Sequence, residues 1–193
     1  MLGSRILDYV LINMLKIFRV GARPLLSFVK GNHMIGNLEK LLAPIAEENG
    51  VELYDMEYVK EGGSRILRLF IDKEGGVDLS DCERVSHAVS HTLDEHDPIP
   101  DAYRLQVGSP GIERRLSKPE HFTRYAGHKV QIKLFAPHSP ENPSHPESVT
   151  TGRKKFTGIL TSYNENGISL QDEDNQMWTF SQKQVSACRL VVY

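Results

Sequence analysis

Two histidines, His87 and His91, have the types and spacing that come nearest to a metal site. They are four residues apart in a segment of helical periodicity, so they share one helix face, from which two imidazoles can ligate zinc. Such a site needs a third and a fourth ligand, and Cys82 belongs to the apolar stripe roughly opposite the histidine face. We therefore favour a solvated polar helix face over a metal site, and we expect neither a metal nor another cofactor.

Motifs for covalent or phosphate chemistry are absent from the sequence. No Gly-x-Ser-x-Gly turn occurs, Cys82 and Cys188 form no Cys-x-x-Cys pair, and no phosphate-binding glycine loop is found. Two cysteines also cannot form a disulfide scaffold, which favours the reducing cytoplasm. The sequence offers no catalytic site.

A run of three cations, Arg153, Lys154 and Lys155, directly precedes the aromatic residue Phe156. Cations of this kind can engage RNA phosphates, and a neighbouring ring can stack on a base. The alternative is a solvated chain segment in which Phe156 points inward. These four residues are the clearest candidates for RNA contact.

The net charge of −2 conceals a strong asymmetry along the chain. Residues 34–110 carry seven Lys and Arg against sixteen Asp and Glu, whereas residues 111–193 carry eleven against eight. An acidic half followed by a mildly basic half predicts two domains with different partners. The acidic half should repel RNA phosphates and attract a basic protein, although an acidic surface can also serve solubility alone.

Hydrophobic periodicity predicts an acidic α+β domain over residues 34–111, with its helices on one face of a sheet. Helices of apolar period 3.6 and strands of period 2 follow in the order α-β-β-α-β, over residues 35–49, 51–59, 66–71, 81–95 and 103–107. Ser80 or Asp81 is well placed as the N-cap of the second helix.

The second domain, residues 112–193, contains five short segments typical of strands, which predict a small β-barrel. Gly158 would allow the sharp bend that small barrels need. Between the first two strands, residues 136–151 hold four prolines and no apolar periodicity, so we expect a long surface loop there.

Residues 1–33 form an atypical basic leader. Its longest uncharged run, residues 9–15, is far shorter than the about 20 apolar residues of a membrane span, so we expect no membrane association. Met34 immediately precedes the first clear helix pattern. We expect Met34 rather than Met1 to be the true start, and the leader not to belong to the native fold.

The third strand of the acidic domain ends at Ser109-Pro110-Gly111, a sequence suited to a type II turn. Together with separated elements upstream, this stretch resembles the bacterial ribosome maturation factor RimP family over roughly residues 38–193. The elements that carry the resemblance are Asp81-Cys82, Val85-Ser86, Leu93-Asp94, Asp97-Pro98-Ile99, Tyr103, Leu105 and Val107 to Arg114. Three positions depart from the family pattern: Gly108 replaces a serine, Ile112 a leucine and Arg115 a proline.

The resemblance implies a non-enzymatic accessory protein that binds the free small (30S) ribosomal subunit and promotes its maturation. We also expect the protein to be cytoplasmic and a monomer. It further implies a C-terminal barrel of SH3-like or Sm-like type, and partners comprising 16S rRNA and a basic ribosomal protein near the decoding centre. We therefore add Ser109, Pro110, Gly111 and Arg114 to the candidate partner-binding residues. The alternative is a general RNA-binding module without ribosome specificity.

Overall fold

The computed structural model describes residues 32–138 and 152–192. Two predicted segments lie mostly outside the described residues. They are the leader, apart from its last two residues, and most of the proline-rich loop. Within them the chain divides into two compact units, residues 32–110 and residues 111–192, which we describe separately.

The first unit has the predicted α-β-β-α-β order. Its elements are α1 (Asn32–Glu48), β1 (Glu52–Glu61), β2 (Ser64–Asp72), α2 (Leu79–His96) and β3 (Tyr103–Gly108). Strand β2 is central, antiparallel to β1 and parallel to β3, with α2 forming the crossover. A parallel pair requires such a crossover because the chain must return to the same end of the sheet.

Apolar stripes on both helices build the core of this unit with the central strand. Leu38 and Leu42 of α1 and Val85 and Val89 of α2 are all buried, and they cluster with buried residues of β2. Helix α1 continues through Pro44 to Glu48, so the proline does not end it. The core thus follows the helical spacing on which the prediction depended.

The N-cap of helix α2 is Asp78, whereas the sequence predicted Ser80 or Asp81. Asp78 is the N-cap: its carboxylate accepts a hydrogen bond from the Asp81 backbone N–H (2.9 Å), and the Asp81 carboxylate accepts one from the Asp78 N–H (3.0 Å). This reciprocal capping box satisfies two backbone donors that a helix start otherwise leaves unpaired.

The second unit is a five-stranded antiparallel sheet preceded by a short helix. Its elements are α3 (Pro119–Arg124), β4 (Lys129–His138), β5 (Arg153–Asn164), β6 (Gly167–Gln171), β7 (Met177–Phe180) and β8 (Val185–Leu190). The strand order is β7-β6-β5-β4-β8. Five strands were predicted, whereas α3 was not, because six residues are too few to display a helical period.

Strand β4 extends to His138, which corrects the predicted start of the loop at residue 136. His138 pairs with Arg153 of β5, and its ring packs edge-on against Phe180 with centroids 5.5 Å apart. These contacts hold the end of the strand although Pro137 supplies no backbone donor.

The core of the second unit is rich in aromatic side chains. Phe156, Trp178 and Phe180 are buried, with the Phe156 centroid 4.9 Å from that of Trp178 and 4.6 Å from that of Phe180. Cys188 is buried beside them, and burial raises the pKa of its thiol to about 12. Both cysteines of the chain are buried, so neither presents a reactive thiolate.

Candidate nucleic-acid interface

The predicted cluster of cations lies at the start of β5, where Arg153, Lys154 and Lys155 are all exposed. Arg153 is also engaged with its own domain. Its guanidinium carbon lies 4.5 Å from the Phe156 ring centroid and 4.9 Å from that of Trp178. Arg153 therefore covers the aromatic core by cation–π contact, which makes it partly a structural residue.

Asp172 contacts both Trp178 and Arg153. Its carboxylate accepts a hydrogen bond from the Trp178 indole N–H (2.7 Å) and lies 3.5 Å from the Arg153 guanidinium. The hydrogen bond from Trp178 is the main reason that the pKa of Asp172 lies below its ordinary value. The Asp172 carboxylate thus partly neutralises the positive charge of Arg153.

The structure decides between the two alternatives for Phe156. Only 2% of this residue is exposed, and its ring is enclosed by Trp178, Phe180 and Arg153. A base could not stack on it without opening the core. This placement corrects the candidate set, because Phe156 belongs to the core.

The register of the sheet adds cations that the sequence alone did not bring together. Lys133 of β4 lies directly opposite Lys155 of β5, and Gln131 lies opposite Arg189 of β8. Residues paired in this way project from the same face of a sheet. That face is the outer one, because the alternating neighbours Val130, Ile132 and Leu134 are buried in the core.

An exposed aromatic residue that the sequence analysis missed stands on the same face. Phe135 follows Lys133 by two residues in β4 and is 37% exposed, whereas Leu134 between them is buried. The signal was present in the alternation of β4, which assigns Gln131, Lys133 and Phe135 to one side. We call Lys133, Phe135, Lys155 and Arg189 the outer-face cluster.

Strands β4, β5 and β8 contain no Asp or Glu. Their six cations are Lys129, Lys133, Arg153, Lys154, Lys155 and Arg189. Lys129 pairs with Glu173 (2.9 Å), but in the part of the chain that the structure describes no carboxylate pairs with a cation of the outer-face cluster. Among residues 32–138 and 152–192 the cluster is therefore a locally positive surface.

Among the candidates that follow β3 in the chain, Gly111 and Arg114 have local structural partners. Gly111 has φ of +78°, as the third residue of a type II turn requires. Arg114 donates to the Gly111 carbonyl (3.0 Å) and to the Tyr125 hydroxyl (3.1 Å). Ser109 is exposed and Pro110 is half-buried.

Comparison with protein-family models supports the resemblance that the sequence motifs indicated. Residues 41–113 match the family model described as the RimP N-terminal domain. This chain carries a RimP N-terminal domain. The resemblance to the RimP family, which the motifs around residues 81–114 predicted, is confirmed, and RimP is a family of ribosome maturation factors.

The histidines considered first lie on α2 of the RimP N-terminal domain. His87 and His91 are exposed, His87 lies 3.9 Å from Glu83, and Cys82 is buried on the core side of the helix. Residues 32–138 and 152–192 hold no group of three or more His, Cys, Asp and Glu side chains that could bind a metal ion. The same ranges include no helix of the length and apolar character needed to cross a membrane.

Proposed function

We propose that this protein is a non-enzymatic accessory factor of the cytoplasm that binds the free 30S ribosomal subunit and promotes its maturation. The RimP N-terminal domain over residues 41–113 is the observation that carries this proposal. The alternative, a general RNA-binding module, shares the basic second unit but gives no reason for an acidic first unit.

The partition of charge supports two kinds of contact on the subunit. Residues 34–110 have nine more carboxylates than Lys and Arg, whereas residues 111–193 have three more Lys and Arg than carboxylates. In this proposal the first unit faces the basic ribosomal protein near the decoding centre, and the second faces 16S rRNA. Opposite charge accelerates encounter and orients the two partners.

The second unit is a small closed barrel of the Sm-like or SH3-like type in this proposal. Strands β7 and β8 are at opposite ends of the sheet order, which would separate them by about 19 Å if the sheet were flat. Only residues 181–184 connect them, in a turn where the Gln184 N–H donates to the Ser181 carbonyl (2.9 Å). So short a connection supports a strongly curled sheet.

The proposed contact residues are Lys154 and Lys155 on the RNA side, together with Ser109, Pro110, Gly111 and Arg114 of the turn that follows β3 in the chain. Arg153 is kept with them because it remains exposed beside Lys154. The factor acts as a monomer.

Cosedimentation with isolated 30S subunits, intact ribosomes and naked 16S rRNA tests the proposal. We expect the free 30S subunit to retain the protein best, because an assembly factor must leave the finished ribosome. Equal retention on naked rRNA at several salt concentrations would instead establish the general RNA-binding module.

A charge-reversal variant tests the role assigned to the first unit. Glu83, Asp94 and Glu95 are exposed on α2, so Lys at these three positions should weaken 30S binding without unfolding the domain. The matched control also has three reversals to Lys, at the exposed residues Glu120, Glu165 and Asp174 of the second unit. Equal losses in both variants would contradict a protein-facing role for the first unit.

A further inference from the structure

We propose that the outer-face cluster binds single-stranded RNA, with Lys133, Lys155 and Arg189 on the phosphates and Phe135 stacked on a base. This inference rests on the proposed function and assigns its RNA contact to a specific surface. The cluster differs from the run of cations in the sequence, because only Lys155 belongs to both.

The first argument is the placement of the cations. Lys133 and Lys155 are cross-strand neighbours, and Arg189 lies on β8 on the other side of β4. Neighbouring strands are about 4.8 Å apart, so the three charges form a patch across three strands. A patch of this width can follow the phosphates of a strand of RNA lying across the sheet.

The second argument is the energetic cost of this placement. Like charges directly opposite each other destabilise an antiparallel pair, as Lys133 and Lys155 do here. Strands β4, β5 and β8 contain no carboxylate that could offset this repulsion. A polyanion lying on the face would remove that cost. The charge of the cluster therefore matches RNA.

The third argument is the exposed ring of Phe135. It lies two residues from Lys133 on the same face of β4 and is 37% exposed. Surfaces that bind single-stranded nucleic acid combine cations for the backbone with aromatic rings for the bases. An acidic peptide would contact the cations but would gain little from stacking on Phe135. Removal of the Phe135 ring should therefore weaken the binding of RNA more than that of an acidic peptide.

Fluorescence anisotropy with the full chain and a labelled RNA of about ten nucleotides tests the inference. Lys155→Gln should weaken binding and lower the slope of log affinity against log salt by about 0.7, as expected for one lost phosphate contact. Phe135→Leu should weaken binding by about 5-fold or more with an unchanged salt slope, because it removes stacking but no charge.

Lys183→Gln is the matched control, since Lys183 is an exposed lysine on the turn after β7. It should leave RNA affinity nearly unchanged. The inference is overturned if Lys183→Gln acts as strongly as Lys155→Gln, if Phe135→Leu has no effect, or if a deca-glutamate peptide binds as tightly as the RNA. Unchanged emission from Trp178 in each variant establishes that the domain remains folded.

The same variants in 30S cosedimentation separate this inference from the proposed function. Binding of 30S that survives both Lys155→Gln and Phe135→Leu, together with no oligonucleotide binding, overturns the RNA surface and leaves the assembly factor in place. Oligonucleotide binding that the two variants weaken, without a preference for 30S, supports the surface and rejects the assembly factor.

Discussion

Lys133 of β4 and Lys155 of β5 lie directly opposite each other in the antiparallel sheet of the second unit. Two cations at opposed positions repel, so Lys155→Glu should convert a repulsive pair into an attractive one and stabilise the unit by about 0.5 kcal/mol. The same change should abolish RNA binding by the outer-face cluster. Urea unfolding followed by Trp178 emission measures the first effect, and oligonucleotide binding measures the second.

Lys154→Glu is the control for this prediction, because Lys154 lies in the irregular part of the β4–β5 pairing. It should give no comparable gain in stability. A loss of stability in Lys155→Glu would show that repulsion between the two lysines is not a significant term in the folded state.

The buried carboxylate of Asp81 should make stability depend on pH. Its side chain is 2% exposed and lies 2.6 Å from both the Lys73 ammonium and the Arg84 guanidinium. The hydrogen bond from Lys73 is the largest cause that holds the pKa of Asp81 well below its ordinary value of 3.8. The stabilisation is therefore complete above the unfolded-state pKa and is lost as the pH falls through the folded-state pKa.

Asp81→Asn should reduce the free energy of unfolding by about 2 kcal/mol at neutral pH, because it leaves Lys73 and Arg84 without their anion. The difference from the parent should shrink as the pH falls below 3.8. Denaturation followed by far-ultraviolet circular dichroism measures this difference.

Glu83→Gln on the same helix is the control for this prediction. The Glu83 side chain is 62% exposed, so the substitution should change stability by less than about 0.5 kcal/mol. A constant difference across pH would contradict the assignment.

The hydrogen bond between Trp178 and Asp172 should be visible in fluorescence, because Trp178 is the only tryptophan of the chain. The pKa of Asp172 is lowered, so protonation should weaken this bond and change the emission only below pH 3.8. Asp172→Asn should remove that change. The comparison is made over the pH range in which circular dichroism stays constant, and an identical titration in Asp172→Asn would rule out the carboxylate as its source.

Two glycine substitutions should have opposite effects. A Cβ at Gly158 would overlap the Gln171 backbone carbonyl of β6, so Gly158→Ala should destabilise the second unit by about 2 kcal/mol or more. Gly36 lies in α1 with open space around its Cβ position, so Gly36→Ala should stabilise the first unit by about 0.5–1 kcal/mol. Thermal unfolding of both variants, followed by Trp178 emission and circular dichroism, checks the contrast; destabilisation by Gly36→Ala would contradict it.

The order of elements in the first unit was predictable because its apolar residues repeat over long segments. The start of α2 was not: Asp78, Ser80 and Asp81 are all good N-cap residues, and only the reciprocal hydrogen bonds of the backbone select Asp78. Helix α3 was missed for a related reason. This six-residue helix is capped by His121, whose ring accepts hydrogen bonds from the Ser117 and Lys118 backbone N–H groups. Hydrophobic periodicity does not reveal a contact of this kind.

The candidate surface was only half predictable. Lys155 belongs to a visible run of cations, but its neighbours Lys133 and Arg189 are far away in sequence and meet it through strand register. Short hairpin turns specify register, whereas a long connection such as that between β4 and β5 does not. The role of Phe156 was open for another reason, since an aromatic residue beside lysines can face either way in a strand.

Strand β4 assigns its two faces to different tasks. Val130, Ile132 and Leu134 hold the core, whereas Gln131, Lys133 and Phe135 face outward. Because the two sets share no residue, substitutions in the outward set need not disturb packing. The ligand preference of this sheet can therefore drift in evolution, or be redesigned in the laboratory, while the architecture beneath it is inherited unchanged.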